Sequence, residues 1–118
     1  MKEDELKQRT KQFALKVIKL VASLNRNLEG REIGKQLLRS GTSVGANYRA
    51  ACRGRSKAEF IAKLGIVEEE ADETAYWLEL IIEGCLLEGA NVEPLLQEAN
   101  GIVAIMAASR KTALKRNQ

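Results

Sequence analysis

Ser40-Gly41-Thr42-Ser43-Val44-Gly45-Ala46-Asn47 is the stretch whose reading settles the fold. By composition it is a loop, and a glycine-rich loop ahead of a helix can cradle phosphate. It lacks the Gly-Lys-Ser/Thr ending of a P-loop, however. The apolar residues around it also keep a helical rhythm: Ile33, Leu37, Val44, Tyr48, Ala51 and Cys52 share one face of a helix turning about 100° per residue. The stretch therefore reads as the interior of a second helix running from near Glu29 to Arg53. Gly41 and Gly45 would let another backbone approach, at some cost in helix propensity. Asn47, if buried, is expected to bond across that crossing.

The same rhythm continues on both sides. Upstream, Leu6, Phe13, Val17, Leu20, Val21 and Leu24 form a stripe, and Lys7, Lys11, Lys16 and Lys19 take the remaining surface. Asn25-Arg26-Asn27 is the predicted stop, because asparagine tolerates the left-handed conformation. Downstream, Gly54 suits a C′ position, and Ser56-Lys57-Ala58-Glu59 matches a capping box. A third helix is predicted from Lys57 to Leu87, burying Phe60, Leu64, Val67, Ala71, Ala75, Leu78, Ile82 and Cys85. Gly89 closes it, Asn91 is placed to cap a fourth helix, and Pro94 falls in its first turn. Leu95, Ala99, Ile102, Val103, Met106 and Ala113 give the last apolar face, ending in Arg110, Lys111, Lys115 and Arg116. No period-2 stretch suggests a strand. Long helices with short connections predict an all-α, antiparallel up-down four-helix bundle, one domain over residues 1–118.

Composition agrees and excludes much chemistry. Hydrophobic residues make up 45% of 118 but aromatics only 4%, so the core must be aliphatic. There is no histidine, which removes Ser-His-Asp and Cys-His nucleophilic sites and histidine-ligated metals. Cys52 and Cys85 have no CxxC spacing and read as small buried hydrophobes in a reducing compartment. The longest uncharged run, Ala99 to Ser109, falls short of the roughly 20 apolar residues a membrane span needs. The expectation is a cytoplasmic protein, not an enzyme, with no cofactor, metal, membrane or small-molecule substrate.

Charge is segregated beneath a net +3. Arg26, Arg31, Lys35, Arg39, Arg49, Arg53, Arg55 and Lys57 face only Glu29 and Glu32 over that span, whereas residues 58–98 carry eleven acids and the single Lys63. If the second helix is continuous, Arg31, Lys35, Arg39, Arg49, Arg53 and Lys57 fall within an arc of about 80°. Such a stripe can track phosphates. It can equally be a solvated face, or one neutralised by the acidic third helix. The run Glu68-Glu69-Glu70-Ala71-Asp72-Glu73 pairs carboxylates four apart. It wraps around its helix without converging, which suits ion pairing better than metal binding or acid–base work. Ile66 and Trp77 project together off the core stripe of the third helix, with Leu80 and Leu87 also off it. That surplus predicts a second buried surface and self-association anchored at Trp77.

Arg39 through Arg49, then Ser56-Lys57-Ala58-Glu59-Phe60-Ile61-Ala62-Lys63-Leu64, then Glu68 through Leu78 together resemble the bacterial four helix bundle family. Its members are also called S23 ribosomal-protein-like proteins of the 23S rRNA intervening sequence. The likeness covers most of the chain and is densest from Arg39 to Ile81. The resemblance implies an antiparallel bundle assembling into homopentamers, a link to RNA, and no enzymatic activity. The family is in turn similar to the accessory variability protein of diversity-generating retroelements, a basic pentamer associated with nucleic acid. Many members carry an acid in an Asn-Ile-Ala-Glu-Gly-like run. Here Asn47-Tyr48-Arg49-Ala50-Ala51 puts Ala50 in its place, making the segment more basic.

Two functions follow as expectations. One is a homo-oligomer binding structured RNA through Arg31, Lys35, Arg39, Arg49, Arg53 and Lys57, with Arg39, Arg49 and Arg53 foremost. The other is a protein-interaction scaffold indifferent to nucleic acid.

Overall fold

The computed structural model describes residues 2–116. They form four helices: α1 (Glu3–Ala22), α2 (Leu28–Cys52), α3 (Lys57–Glu83) and α4 (Gly89–Arg116). No strand occurs among the described residues. The result is the antiparallel four-helix bundle, a rod of 50 × 20 × 20 Å. Helix α2 packs on α1 and α3, and α3 packs on α4, while α1 and α4 close the bundle with far sparser contact. Each helix sends one stripe inward: Phe13 and Val17, Leu37 and Val44, Leu64 and Leu78, and Ile102 and Met106 are all fully buried. Each such side chain contributes about 1.5–3 kcal/mol by leaving water.

Residues 40–47 are uninterrupted helix. A Cβ on Gly41 would sit 2.7 and 2.8 Å from the two γ-carbons of Val17, and one on Gly45 would sit 3.4 Å from the Thr10 backbone. Glycine is thus what brings α1 and α2 together. On the other flank, the buried Ser40 and Thr74 hydroxyls join α2 to α3 at 2.9 Å. Asn47 does not bond across the α1 crossing. Two residues beyond Gly45, it lies about 200° around the helix, and its amide donates to the Ser43 carbonyl of its own helix at 2.8 Å.

Several boundaries differ from those predicted. Asn27 opens α2 instead of closing α1: its side chain accepts the Gly30 N–H at 2.9 Å, and α1 ends at Ser23 in a right-handed conformation. Ser56 caps α3 by accepting the Glu59 N–H at 3.1 Å. The Glu59 carboxylate, however, takes the Arg55 N–H at 3.4 Å, one residue before the expected partner. Helix α3 stops at Glu83, short of Leu87, in a Schellman arrangement. The Leu86 N–H reaches the Ile81 carbonyl at 2.9 Å, and the Cys85 N–H reaches that of Ile82 at 3.1 Å. The left-handed position is held by Cys85 (φ 56°), while Gly84 stays right-handed (φ −82°). Cys85 is therefore exposed instead of buried, Ile81 takes the core place, and Phe60, Ile82 and Cys52 are half-buried. Asn91 lies inside α4, its N–H on the Glu88 carbonyl at 3.0 Å, so Pro94 falls beyond the first turn.

Candidate nucleic-acid interface

The outer edge of α2 carries the predicted cations because a helix that buries Leu37, Val44 and Tyr48 must turn the opposite arc to solvent. Arg31, Lys35, Arg49 and Arg53 are exposed there. Lys35 has only a loose contact with Glu32 of its own helix, at 4.0 Å. Arg31 and Lys35 line an open groove with Val21, Asn25 and Arg26 at the α1–α2 turn. Arg49 and Arg53 line a second groove of about 420 Å³ with Asp4, Lys7, Gln8 and Lys11 of α1. Sequence reasoning left Lys7 and Lys11 as ordinary surface. Their signal was present, as two lysines four apart on one side of α1, but which helix they would face was not.

Arg39 behaves differently. Its guanidinium bonds Glu70 at 3.0 Å and also holds Glu73, both on α3. Glu73 in turn accepts from the Trp77 indole N–H at 3.2 Å. Arg39 is thus committed to the α2–α3 seam, as part of the acidic run's ion pairing. The run's other pairing is Glu68 with Arg110 of α4 at 2.8 Å. Among the described residues no group of three or more acids, cysteines or histidines is placed to hold a metal.

Lys57 does not continue the stripe. The helix breaks after Cys52, with Arg53 as its C-cap, so the arc ends at Arg53. Lys57 begins α3 and lines a different groove with Phe60, Thr112 and Arg116.

Ile66 is exposed (41%), and Trp77 is half-buried against the core. Trp77 meets Tyr76 edge to face, ring centres 5.2 Å apart. Tyr76 is the more exposed ring (53%), a residue that periodicity did not single out. Leu15, Ile18 and Leu38 are also exposed, on α1 and α2. No described helix is long and apolar enough to cross a membrane.

The family model described as 23S rRNA-intervening sequence protein matches residues 2–108. A solved structure of a protein with unknown function from the S23 ribosomal protein family of Bacteroides thetaiotaomicron is similar throughout. The two share 36% identity and a TM-score of 0.86, over 94% of this chain and 99% of that one. No curated protein matches the sequence. The near-complete family match, on the same bundle architecture, places this chain in the 23S rRNA-intervening sequence protein family.

Proposed function

We propose that this chain is a non-enzymatic, self-associating cytoplasmic bundle that holds structured RNA by its phosphates. The observation that carries the reading is the exposure of Arg31, Lys35, Arg49 and Arg53 along one edge of α2, with Lys7 and Lys11 beside the last two. Cations so arranged release condensed counterions when they meet phosphates. They position the ligand without reading its bases. The family's link, by name, to the 23S rRNA intervening sequence supports RNA as that ligand. Self-association would use Ile66, Trp77 and the neighbouring Tyr76, with five copies expected from the resemblance. Repetition of the basic edge around a ring would strengthen weak sites through effective concentration.

A salt titration tests the binding. Four phosphate contacts, Arg49 and Arg53 among them and without Arg31 or Lys35, predict a slope of about −3.6 in log affinity against log salt, hence about 150-fold weaker binding at about 200 mM than at about 50 mM. Arg49→Glu with Arg53→Glu should reduce that loss to about 12-fold. No binding of a hairpin RNA at the lower salt ends the proposal. For assembly, sedimentation equilibrium at micromolar concentration should show an oligomer that Ile66→Glu weakens, and a monomer for the unaltered chain removes that part.

The scaffold reading keeps one observation of its own: Arg39 is engaged by Glu70 and Glu73, while Leu15, Ile18 and Leu38 are open for a protein partner. It predicts indifference to RNA and a specific protein in pull-downs.

A further inference from the structure

Three separate segments bring cations to the same end of the rod. The turn between α2 and α3 supplies Arg53, Arg55 and Lys57, all exposed. The last turns of α4 supply Lys111, Lys115 and Arg116, also exposed, and Lys57 and Arg116 line one groove. Helix α1 adds Lys7 and Lys11 on the far side, beside Arg49 and Arg53. Within residues 49–63 and 110–116 nine cations face one acid, Glu59, whose carboxylate is turned onto the Arg55 N–H. Of those nine only Arg110 has an ion-pair partner among the described residues. The acids at this pole, Glu3, Asp4 and Glu5, stand in the first turn of α1, where they complement the helix dipole, and Glu3 is paired with Lys7 at 3.1 Å. At the opposite end residues 79–98 carry Glu79, Glu83, Glu88, Glu93 and Glu98 and no cation, and these acids share that end with Lys16, Lys19 and Arg26 of α1 and the α1–α2 turn.

Resting on the RNA-binding reading above, we infer that the principal nucleic-acid contact is this basic pole, from Arg49 and Arg53 across the α2–α3 turn to Arg116, and that its ligand is the phosphate backbone of a duplex. The rod is polarised along its 50 Å length, so an approaching polyanion is steered to this end before any contact forms. Arg31 and Lys35 lie toward the other end, about 21–33 Å away along α2 at 1.5 Å per residue, with Glu29 and Glu32 nearby. Beyond a screening length of about 8–10 Å they add little at the pole. The duplex follows from what the pole lacks: its aromatics are Phe60, half-buried, and Tyr48, buried, whereas single-strand binders present exposed rings on which bases stack. A duplex shows the protein mainly its backbone and its shape.

The experiment compares two charge-reversal pairs in the full chain, Arg55→Glu with Lys115→Glu at the pole and Arg31→Glu with Lys35→Glu on α2. Both pairs change net charge equally and both sit on exposed side chains, so circular dichroism should report unchanged melting. Fluorescence anisotropy is read with an RNA hairpin, a DNA hairpin of the same sequence and an unstructured oligouridine. The pole pair should weaken hairpin binding at least about tenfold at about 100 mM salt and lower the salt slope by about two, while the α2 pair costs less than about threefold. Both hairpins should outcompete oligouridine, and a preference for RNA over DNA identifies A-form geometry as the feature read. An α2 pair as damaging as the pole pair overturns the placement while leaving RNA binding intact. Oligouridine bound as tightly as the hairpins overturns the duplex. Failure of the unaltered chain to bind any of the three ends the underlying reading as well.

Discussion

Replacing Gly41 by alanine tests the close crossing of α1 and α2 on which the bundle depends. The new methyl would arrive 2.7 and 2.8 Å from the γ-carbons of Val17, roughly 1 Å inside the best carbon–carbon separation of about 3.5–4.0 Å. Val17 is fully buried, and a β-branched side chain on a helix has one strongly preferred rotamer. It cannot swing aside, so the backbones must part. Overpacking of this kind costs about 1–3 kcal/mol, against which alanine gains about 1 kcal/mol in helix propensity. The net expectation is a loss near 1 kcal/mol, or about 4 °C in Tm. Gly65→Ala supplies the reference, because a Cβ there meets nothing closer than 3.9 Å and only the propensity gain of about 1 kcal/mol remains. Urea unfolding followed by circular dichroism, at one fixed protein concentration, should separate the two variants by about 2 kcal/mol. Val17→Ala removes the two closest carbons and leaves the Val17 Cβ at 3.1 Å, so in that background the Gly41→Ala penalty should shrink, a coupling of about 1–2 kcal/mol. If Gly41→Ala stabilises as much as Gly65→Ala does, the crossing is not sterically closed and the reasoning is wrong.

Cys85→Gly should stabilise the protein by about 1 kcal/mol in the same assay, because Cys85 holds φ 56°, where a Cβ is penalised; a loss would mean that the thiol makes a compensating contact. Thr74→Val leaves the buried Ser40 hydroxyl with only a 3.4 Å contact to the Leu37 carbonyl and should cost about 1–3 kcal/mol. Adding Ser40→Ala should cost less than the sum of the singles, and simple additivity would count against the shared bond. Burial, then the hydrogen bond with Cys52, raises the Tyr48 phenol above its ordinary 10.0. Burial also raises the Cys52 thiol above 9.0. Folding favours the protonated form of both, so their stability is intact below about pH 9 and is lost as pH climbs through 10 and beyond. Unfolding free energies between about pH 8 and pH 11 should fall steeply at the alkaline end, and Tyr48→Phe should flatten that fall. Identical alkaline profiles for the two proteins would show that Tyr48 contributes nothing to it.

What the sequence by itself determined is whatever neighbouring residues decide among themselves. The continuity of α2 through Gly41 and Gly45, the inward stripes through Leu78 and Met106, and the Ser56 cap rest on spacings of three or four residues, and these were legible. Family membership was legible for the same reason, since its motif lies along the chain. The segregation of charge could be read too, but not which charges meet. Arg39 met Glu70 and Glu73, more than 30 positions away, and Lys57 came to share a groove with Arg116. Only the tertiary structure decided those pairings, and with them which cations remain exposed. It also decided that Cys85, not Gly84, takes the left-handed turn. Coulomb energy and packing depend on distance in space, and for residues on different helices that distance is set by the crossing of the helices, which no one-dimensional pattern contains.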